Sequence, residues 1–67
     1  MMHVSRVLVV QCKSRVYCEF KSHDALLTEA VNLFSAEAKR DGFNAIQVNN
    51  ADGVAVAGMT LRLPGAV

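Results

Sequence analysis

The sequence predicts an α+β fold, a two-layer sandwich in which one helix covers one face of a mainly antiparallel sheet, in the order ββαββ. Three observations support this prediction. Residues 4–20 alternate apolar and polar side chains as a β-strand does, residues 22–42 carry an apolar stripe with helical spacing, and residues 44–63 return to strand periodicity around a turn. A chain of 67 residues is expected to form one domain, 1–67.

The first alternating segment is too long for one ordinary strand, so we expect it to fold back on itself. Its apolar even-numbered residues are Val4, Leu8, Val10, Cys12, Val16, Cys18 and Phe20. A three-residue loop at Lys13-Ser14-Arg15 would leave strands at about 3–12 and 16–21 and would place these side chains on one face. One long bent strand over residues 4–20 is the alternative.

The central helix is predicted at about residues 23–41. Its apolar stripe consists of Leu27, Ala30, Val31, Phe34 and Ala38. Leu26 and Leu33 widen that stripe, which is typical of a helix that packs on a sheet. Ser22 is the predicted N-cap, and Gly42 is predicted to end the helix in the left-handed conformation.

The last segment predicts a hairpin with strands at about 44–50 and 54–63. Asp52-Gly53 favours a two-residue type I′ loop between them. The register that follows pairs Val48 with Ala57, Ile46 with Met59 and Asn44 with Leu61, and it needs no bulge. Pro64 is expected to end the final strand.

Composition and charge exclude several classes of protein. No apolar run approaches the roughly 20 residues that span a bilayer, and the N-terminus shows no signal-peptide pattern. We therefore expect a cytoplasmic protein that does not bind membranes. A formal net charge of +1 argues against binding driven by the phosphates of a nucleic acid.

The two cysteines are expected to be free and buried. Cys12 and Cys18 share one face of the predicted hairpin, but they lie diagonally, which is a poor geometry for a disulfide. Free buried thiols are also usual in the cytoplasm. A metal site that adds His3 or His23 is a further alternative, and its spacing matches no zinc pattern.

No group of residues predicts catalysis. The six carboxylates have no acid–base or nucleophilic partner at a useful spacing, and the four glycines mark turns rather than a phosphate loop. We therefore expect a protein that is not an enzyme, with no catalytic residue, no metal and no cofactor.

One helix can cover only one face of the sheet, and the other face is expected to be partly apolar. The predicted interface residues on that face are Val7, Val9, Tyr17, Val54 and Val56. Candidate basic contacts beside them are Lys13, Arg15 and Arg62. Apolar surface patches often mark interfaces, so we expect association with further copies of the chain. The alternative is that surface valines reflect only the β propensity of the strands.

Two families offer a partial resemblance. Residues Ala36–Val48 run from the helix through a glycine into a strand, and a turn and a final strand follow. This unit is similar to the helix–glycine–strand unit of YhcN-type stress proteins, which carry a secretion signal that is missing here. The length and the helix–hairpin order also resemble the dodecins, small oligomers that store flavin on a tryptophan. This chain has no tryptophan, so flavin storage is not expected.

The predicted function is that of a small non-enzymatic protein-binding or accessory module. It would self-associate through its sheet as a dimer or higher oligomer, and a phage-like or mobile-element inhibitor that acts by occlusion is one concrete version. The first alternative is an oligomer that binds a small molecule or nucleotide between subunits. The second is a weak binder of single-stranded nucleic acid, with Tyr17 as the stacking ring.

Overall fold

A computed structural model of the chain describes residues 5–62, and every structural statement below concerns those residues. The elements are β1 (Val7–Gln11), α1 (Arg15–Phe20), α2 (His23–Arg40), β2 (Ala45–Asn49) and β3 (Ala55–Thr60). The α+β class, with helices against a sheet, is confirmed. The outer ends of the predicted strands, at residues 3–4 and 63, lie outside the described residues, as do His3 and Pro64.

The predicted first hairpin is wrong, because residues 15–20 form a helix and not a strand. Ser14 caps this helix, and its hydroxyl accepts a hydrogen bond from the Tyr17 amide at 3.2 Å. The sheet therefore has three strands in the order β1-β2-β3, and β2 is central. β1 runs parallel to β2 and β3 runs antiparallel to it, so the sheet is mixed rather than mainly antiparallel.

Helix α2 begins and ends as the sequence predicts. The Ser22 hydroxyl accepts a hydrogen bond from the Ala25 amide at 3.1 Å. At the other end Gly42 has a φ of +83°, and the Phe43 amide donates to the Ala38 carbonyl at 2.8 Å. These are the features of a Schellman cap, which satisfies carbonyls that the helix leaves unpaired.

The buried core is small and lies between α2 and the central strand. Its buried residues are Cys18, Leu26, Ala30, Ala38, Ile46 and Val48. Leu27, Val31 and Phe34 are half-buried against this core, whereas Leu33 is exposed, contrary to the predicted stripe. Ile46 is the only large side chain of the described residues that is fully buried. A core of this size gives a short chain little stability to spare.

The β2–β3 hairpin has the predicted register but a different loop. Val48 lies opposite Ala57 and Ile46 lies opposite Met59, which confirms the predicted pairs. The turn, however, closes with a hydrogen bond from the Asn50 amide to the Val54 carbonyl at 2.9 Å. The loop therefore holds three residues, 51–53, instead of two.

A β-bulge compensates for the longer loop. The register shifts by one residue between Val48 and Asn49, because Asn49 pairs with Ala55 while Val48 pairs with Ala57. Val56 is the extra residue, and it packs half-buried against the core rather than on the outer face. The expectation of a bulge-free hairpin is therefore wrong, and so is the outward position predicted for Val56.

Cys12 and Cys18 form a disulfide, which corrects the expectation of two free thiols. Their Cα atoms are 6.5 Å apart, a separation that a disulfide spans. The expectation relied on a hairpin in which the two residues were diagonal neighbours. Helix α1 instead turns the chain back over the end of β1, and this brings Cys18 next to Cys12.

Candidate functional site

The face of the sheet that α2 does not cover is the candidate functional site, and we call it the outer face. Its members are the side chains that alternate with the buried positions of each strand. They are Val7, Val9, Gln11, Ala45, Gln47, Asn49, Ala55, Gly58 and Thr60. Val7 is 38% exposed and Val9 is 49% exposed, so the β1 side carries the largest apolar groups of this face.

The outer face bears no charged side chain. The chain has seven Lys and Arg and six Asp and Glu, and all of them lie in helices, loops or chain segments outside the three strands. An ordinary one-sided antiparallel sheet exposes a mixture of polar and charged residues on its solvated face. The charged side chains therefore lie outside the sheet. We call α1 and α2 together the helical layer, which is charged, whereas the strands form an uncharged layer.

The polar groups of the outer face are largely paired with each other or with backbone. The side-chain Nε2 of Gln47 donates to Asn49 Oδ1 at 2.9 Å, along one strand. The side-chain Nε2 of Gln11 donates to the backbone carbonyl of Cys12 at 3.1 Å and also to that of Asn50. These pairs reduce the hydrogen-bonding capacity that the face offers to water, so its desolvation costs less than its composition implies.

Neither edge strand carries a charge or a proline, although the bulge at Val56 gives β3 one of the usual protections against pairing. Natural edge strands often carry lysine, proline or an inward charge, which discourages pairing with another chain. Neither β1 nor β3 contains such a residue, and both lie at the edges of the described sheet. Gly58 allows β3 to lie close to β2, because an added Cβ would be only 3.1 Å from the Ile46 carbonyl oxygen.

The structure does not bring all the predicted interface residues together. Val7 and Val9 lie on the outer face as predicted, and Val54 is exposed just before β3. Tyr17 lies on α1, in the helical layer, because residues 15–20 are not a strand. β2 separates the first strand from the last, so the valines do not form the single patch that neighbouring strands would have produced.

The candidate basic contacts are also dispersed. Arg15 makes a bidentate ion pair with Asp52 of the hairpin loop, at 2.5 and 3.1 Å. Hydrogen bonding by Arg15, together with its charge, lowers the pKa of Asp52. Lys13 follows the end of β1, whereas Arg62 follows β3 at the opposite end of the sheet, since β3 is antiparallel to its neighbour. The predicted basic stripe with a stacking ring is therefore not assembled.

Tyr17 and Lys21 join α1 to α2 through one carboxylate. The Tyr17 hydroxyl donates to Glu29 at 2.6 Å, and Lys21 Nζ donates to Glu29 at 3.0 Å. The hydrogen bond from Tyr17, followed by that from Lys21, lowers the pKa of Glu29. The hydrogen bond to Glu29 is in turn the main reason why the pKa of Lys21 is raised. The cluster fixes the position of α1 beside α2 at a solvent-exposed contact.

A cavity of about 290 Å³ lies between β1, α1 and α2. Its walls are mostly apolar and include Val10, Leu26, Phe34 and Val48, and Cys12, Lys13 and Tyr17 line it as well. The volume is at the lower limit of pockets that hold small molecules. The cavity lies within one chain, whereas the sequence-based alternative placed a pocket between subunits.

Sequence reasoning missed one exposed apolar pair on α1. Val16 and Phe20 were predicted to face the core, yet Val16 is exposed and Phe20 is 86% exposed. They lie four residues apart, on one side of the short helix. The signals for a helix were Ser14 as a potential N-cap and the opposite charges of Arg15 and Glu19, which lie 3.9 Å apart in the structure.

Comparison of the chain with models of protein families, with curated proteins and with solved structures gives no match. Within residues 5–62, no three histidine, cysteine or acidic side chains are grouped so that they could hold a metal ion. Neither α1 nor α2 has the length and apolar character that a membrane-spanning helix requires.

Proposed function

We propose that the protein is a small non-enzymatic binding module that associates with a second copy of itself through the outer face of its sheet. The observation that carries this proposal is the absence of every charged residue from the three strands, although the chain has thirteen. Lys, Glu and Asp are depleted at the centres of protein interfaces, because burying an unpaired charge is costly.

A second copy is the occupant that fits this face best. Flat β faces without charge pack against each other as the two layers of a sandwich, about 10 Å apart. The core of the single chain contains only six buried residues within the described part. A chain that buries so little alone gains proportionally more from a partner subunit than a larger domain does.

The size of the outer face sets the strength of the association. Three strands of about five residues present a face of roughly 250 Å², from the usual strand spacing and rise. A standard interface buries about 800 Å² per partner. Contact through the outer face alone is therefore at the weak end of the range, so the dimer should form at micromolar concentrations or above.

Sedimentation velocity or light scattering across roughly 10 µM to 1 mM, a range that spans weak association constants, tests the proposal. The wild-type mass should rise from that of a monomer towards twice that value. Val9→Lys places a charge at the most exposed large apolar residue of the outer face and should keep the protein monomeric. Phe20→Lys is the matched control, because it also replaces an exposed apolar side chain but lies in the helical layer.

Two results would overturn the proposal. The first is a wild-type chain that stays monomeric at about 1 mM. The second is an oligomer that survives Val9→Lys and dissociates in Phe20→Lys, since that result would move the interface to α1. Circular dichroism of both variants establishes that they are folded before their masses are compared.

The biological setting that we propose is a cytoplasmic accessory protein that acts by covering part of a larger protein. Formation of the dimer would bury the outer face, so the charged helical layer would be the surface left for that larger partner. A phage-like or mobile-element inhibitor is one form of this proposal. Affinity capture with Val9→Lys and wild type would separate a partner that binds the outer face from one that binds the helices.

A further inference from the structure

Helix α1 is attached to the rest of the chain at three points. Arg15 pairs with Asp52 of the hairpin loop, and Tyr17 and Lys21 bond to Glu29 of α2. The third attachment is the disulfide from Cys18 to Cys12 at the end of β1. Cys18 is also the only buried residue of α1. The residue that carries the disulfide is therefore the only side chain that α1 contributes to the buried core.

The disulfide is the dominant attachment of the three. Ion pairs and hydrogen bonds between exposed side chains contribute little, because water and salt screen them. The Arg15–Asp52 and Lys21–Glu29 pairs are both in this class, since each side chain is at least a third exposed. A helix of six residues is also far below the length at which a helix is stable in water by itself.

The two cysteine residues differ in exposure. Cys18 is buried, with 7% of its surface exposed, whereas Cys12 is half-buried and lines the cavity of about 290 Å³. Lys13 lines the same cavity and contributes a positive charge next to Cys12. Thiolates are the species that attack disulfides, and a neighbouring cation favours their approach. An incoming thiol therefore reaches Cys12 more easily than Cys18.

We propose that the Cys12–Cys18 disulfide is a thiol–disulfide exchange site and that its reduction releases α1 from the body of the protein. The co-reactant is a low-molecular-weight thiol of the glutathione class. Its thiolate attacks Cys12 Sγ, a mixed disulfide forms at Cys12, and Cys18 leaves as a thiolate that takes up a proton. A second thiol then attacks the mixed disulfide, which frees Cys12 as a thiol and yields the oxidised thiol dimer.

Release of α1 changes two surfaces at once. Tyr17 of α1 lines the cavity, so movement of α1 exposes the apolar side chains of Leu26 and Val48, which line it as well. It also frees the exposed pair Val16 and Phe20 from a fixed position. The exchange site therefore controls the helical layer and leaves the outer face of the sheet unchanged.

Hydrogen exchange measured by mass spectrometry on the oxidised and the reduced wild-type chain tests the release. On reduction, amides of residues 18–20 should exchange at least about tenfold faster, because a helix this short has no stability alone. Amides of β2 should keep their protection. The variant Cys12→Ser/Cys18→Ser should match the reduced chain.

Two results would overturn the proposal. The first is unchanged hydrogen exchange in α1 after reduction. The second is loss of protection in β2, which would mean that the disulfide stabilises the whole fold.

The mixed disulfide formed by the oxidised wild-type chain tests the point of attack. The chain is exposed briefly to a limiting amount of reduced glutathione and quenched with acid, and peptide mass spectrometry locates the glutathione. It should be found on Cys12 at least about tenfold more often than on Cys18, because accessibility controls such reactions. Equal amounts on the two cysteines would contradict the proposed attack at Cys12. A wild-type disulfide that stays intact in millimolar reduced glutathione would show a structural bond and overturn the exchange site itself.

Discussion

Helices α1 and α2 follow each other in the chain, yet they are held in different ways. α2 has 18 residues and buries Leu26, Ala30 and Ala38 against the central strand. α1 has six residues and buries only Cys18. The first helix is fixed by polar contacts and one covalent bond, whereas the second is fixed by apolar packing over three helical turns.

This difference shows which kind of information defines each helix. The caps, the period and the apolar stripe of α2 all lie within its own sequence, and they agree with each other. The alternation of Val16, Cys18 and Phe20 in α1 favours a strand. The local signals for a helix are few, namely the Ser14 cap and the Arg15–Glu19 pair, and contacts with distant residues supply the rest. Such contacts are Asp52 and Glu29, which lie 37 and 12 residues away in the chain.

Removal of apolar side chains from the two helices should give the largest contrast. Leu26→Ala should lower the free energy of unfolding by about 2–4 kcal/mol, because a buried leucine leaves a cavity when it is truncated. Phe20→Ala should change it by less than about 0.5 kcal/mol, because its ring is 86% exposed. Urea unfolding of the oxidised chain, followed by circular dichroism, measures both. A Phe20→Ala loss as large as that of Leu26→Ala would mean that α1 is packed like α2.

Removal of an N-cap should also lower the free energy of unfolding more for α2 than for α1. This difference should be smaller than the one between Leu26→Ala and Phe20→Ala. Ser22→Ala removes the acceptor of the Ala25 amide and should cost about 1 kcal/mol of unfolding free energy. Ser14→Ala removes the acceptor of the Tyr17 amide, but the loss is limited to the local stability of α1. We therefore expect Ser14→Ala to lower the free energy of unfolding in urea by less than about 0.5 kcal/mol. Hydrogen exchange should become clearly faster in α1 alone. Equal costs in urea would show that α1 unfolds together with the whole chain.

The elements that could be predicted from the sequence are those with consistent local signals. The prediction of α2 was right within one residue at its C-terminal end, because Ser22 and Gly42 mark its limits. The side chains of β1 and β2 were placed on the correct faces, because a strand with one buried face alternates strictly. The pairing of β1 with β2 could not be read from the sequence, since both strands have the same pattern.

The predicted register of the β2–β3 hairpin is confirmed, but the predicted two-residue loop and the absence of a bulge are wrong. A three-residue loop moves the pairing by one position, and the bulge at Val56 moves it back. The reason for the longer loop is the Asn50 side chain, which accepts hydrogen bonds from the amides of Asp52 and Val54 at 2.9 and 3.0 Å. Asparagine in this role forms a turn with its side chain, and the dipeptide Asp-Gly alone does not reveal it.

The candidate site was only partly predictable for the same reason. Val7 and Val9 follow from the alternation of β1, and their outward position is confirmed. Tyr17 was assigned to the sheet, and Arg15 to the loop before it, because residues 16–21 were expected to be a strand. Their actual partners, Glu29 and Asp52, are distant in the chain, and no periodic pattern links them. The disulfide was missed because its geometry depends on that same helix.

Acidification should give the smallest effect, and it acts on the contact between the two helices. Because the hydrogen bonds from Tyr17 and then Lys21 lower the pKa of Glu29, its carboxylate stabilises the folded state at neutral pH. This contribution begins to fall as the pH drops below the ordinary carboxyl value of 4.5, and it is lost below the lowered pKa. The effect is small because the contact is exposed. Tyr17 is the only tyrosine, so the NMR shifts of its ring report the change.

The wild-type ring shifts should report protonation of the Glu29 carboxyl with a midpoint below 4.5, because its pKa is lowered, and Glu29→Gln should abolish that transition. Glu37→Gln is the matched control, because Glu37 lies about two turns further along α2 and forms no ion pair with α1 within residues 5–62. In that control the midpoint should match the wild type. Ring shifts of Tyr17 that change equally with pH in Glu29→Gln would show that the two helices are not joined through this carboxylate. Helix α1 would then depend on its disulfide and on Arg15 alone.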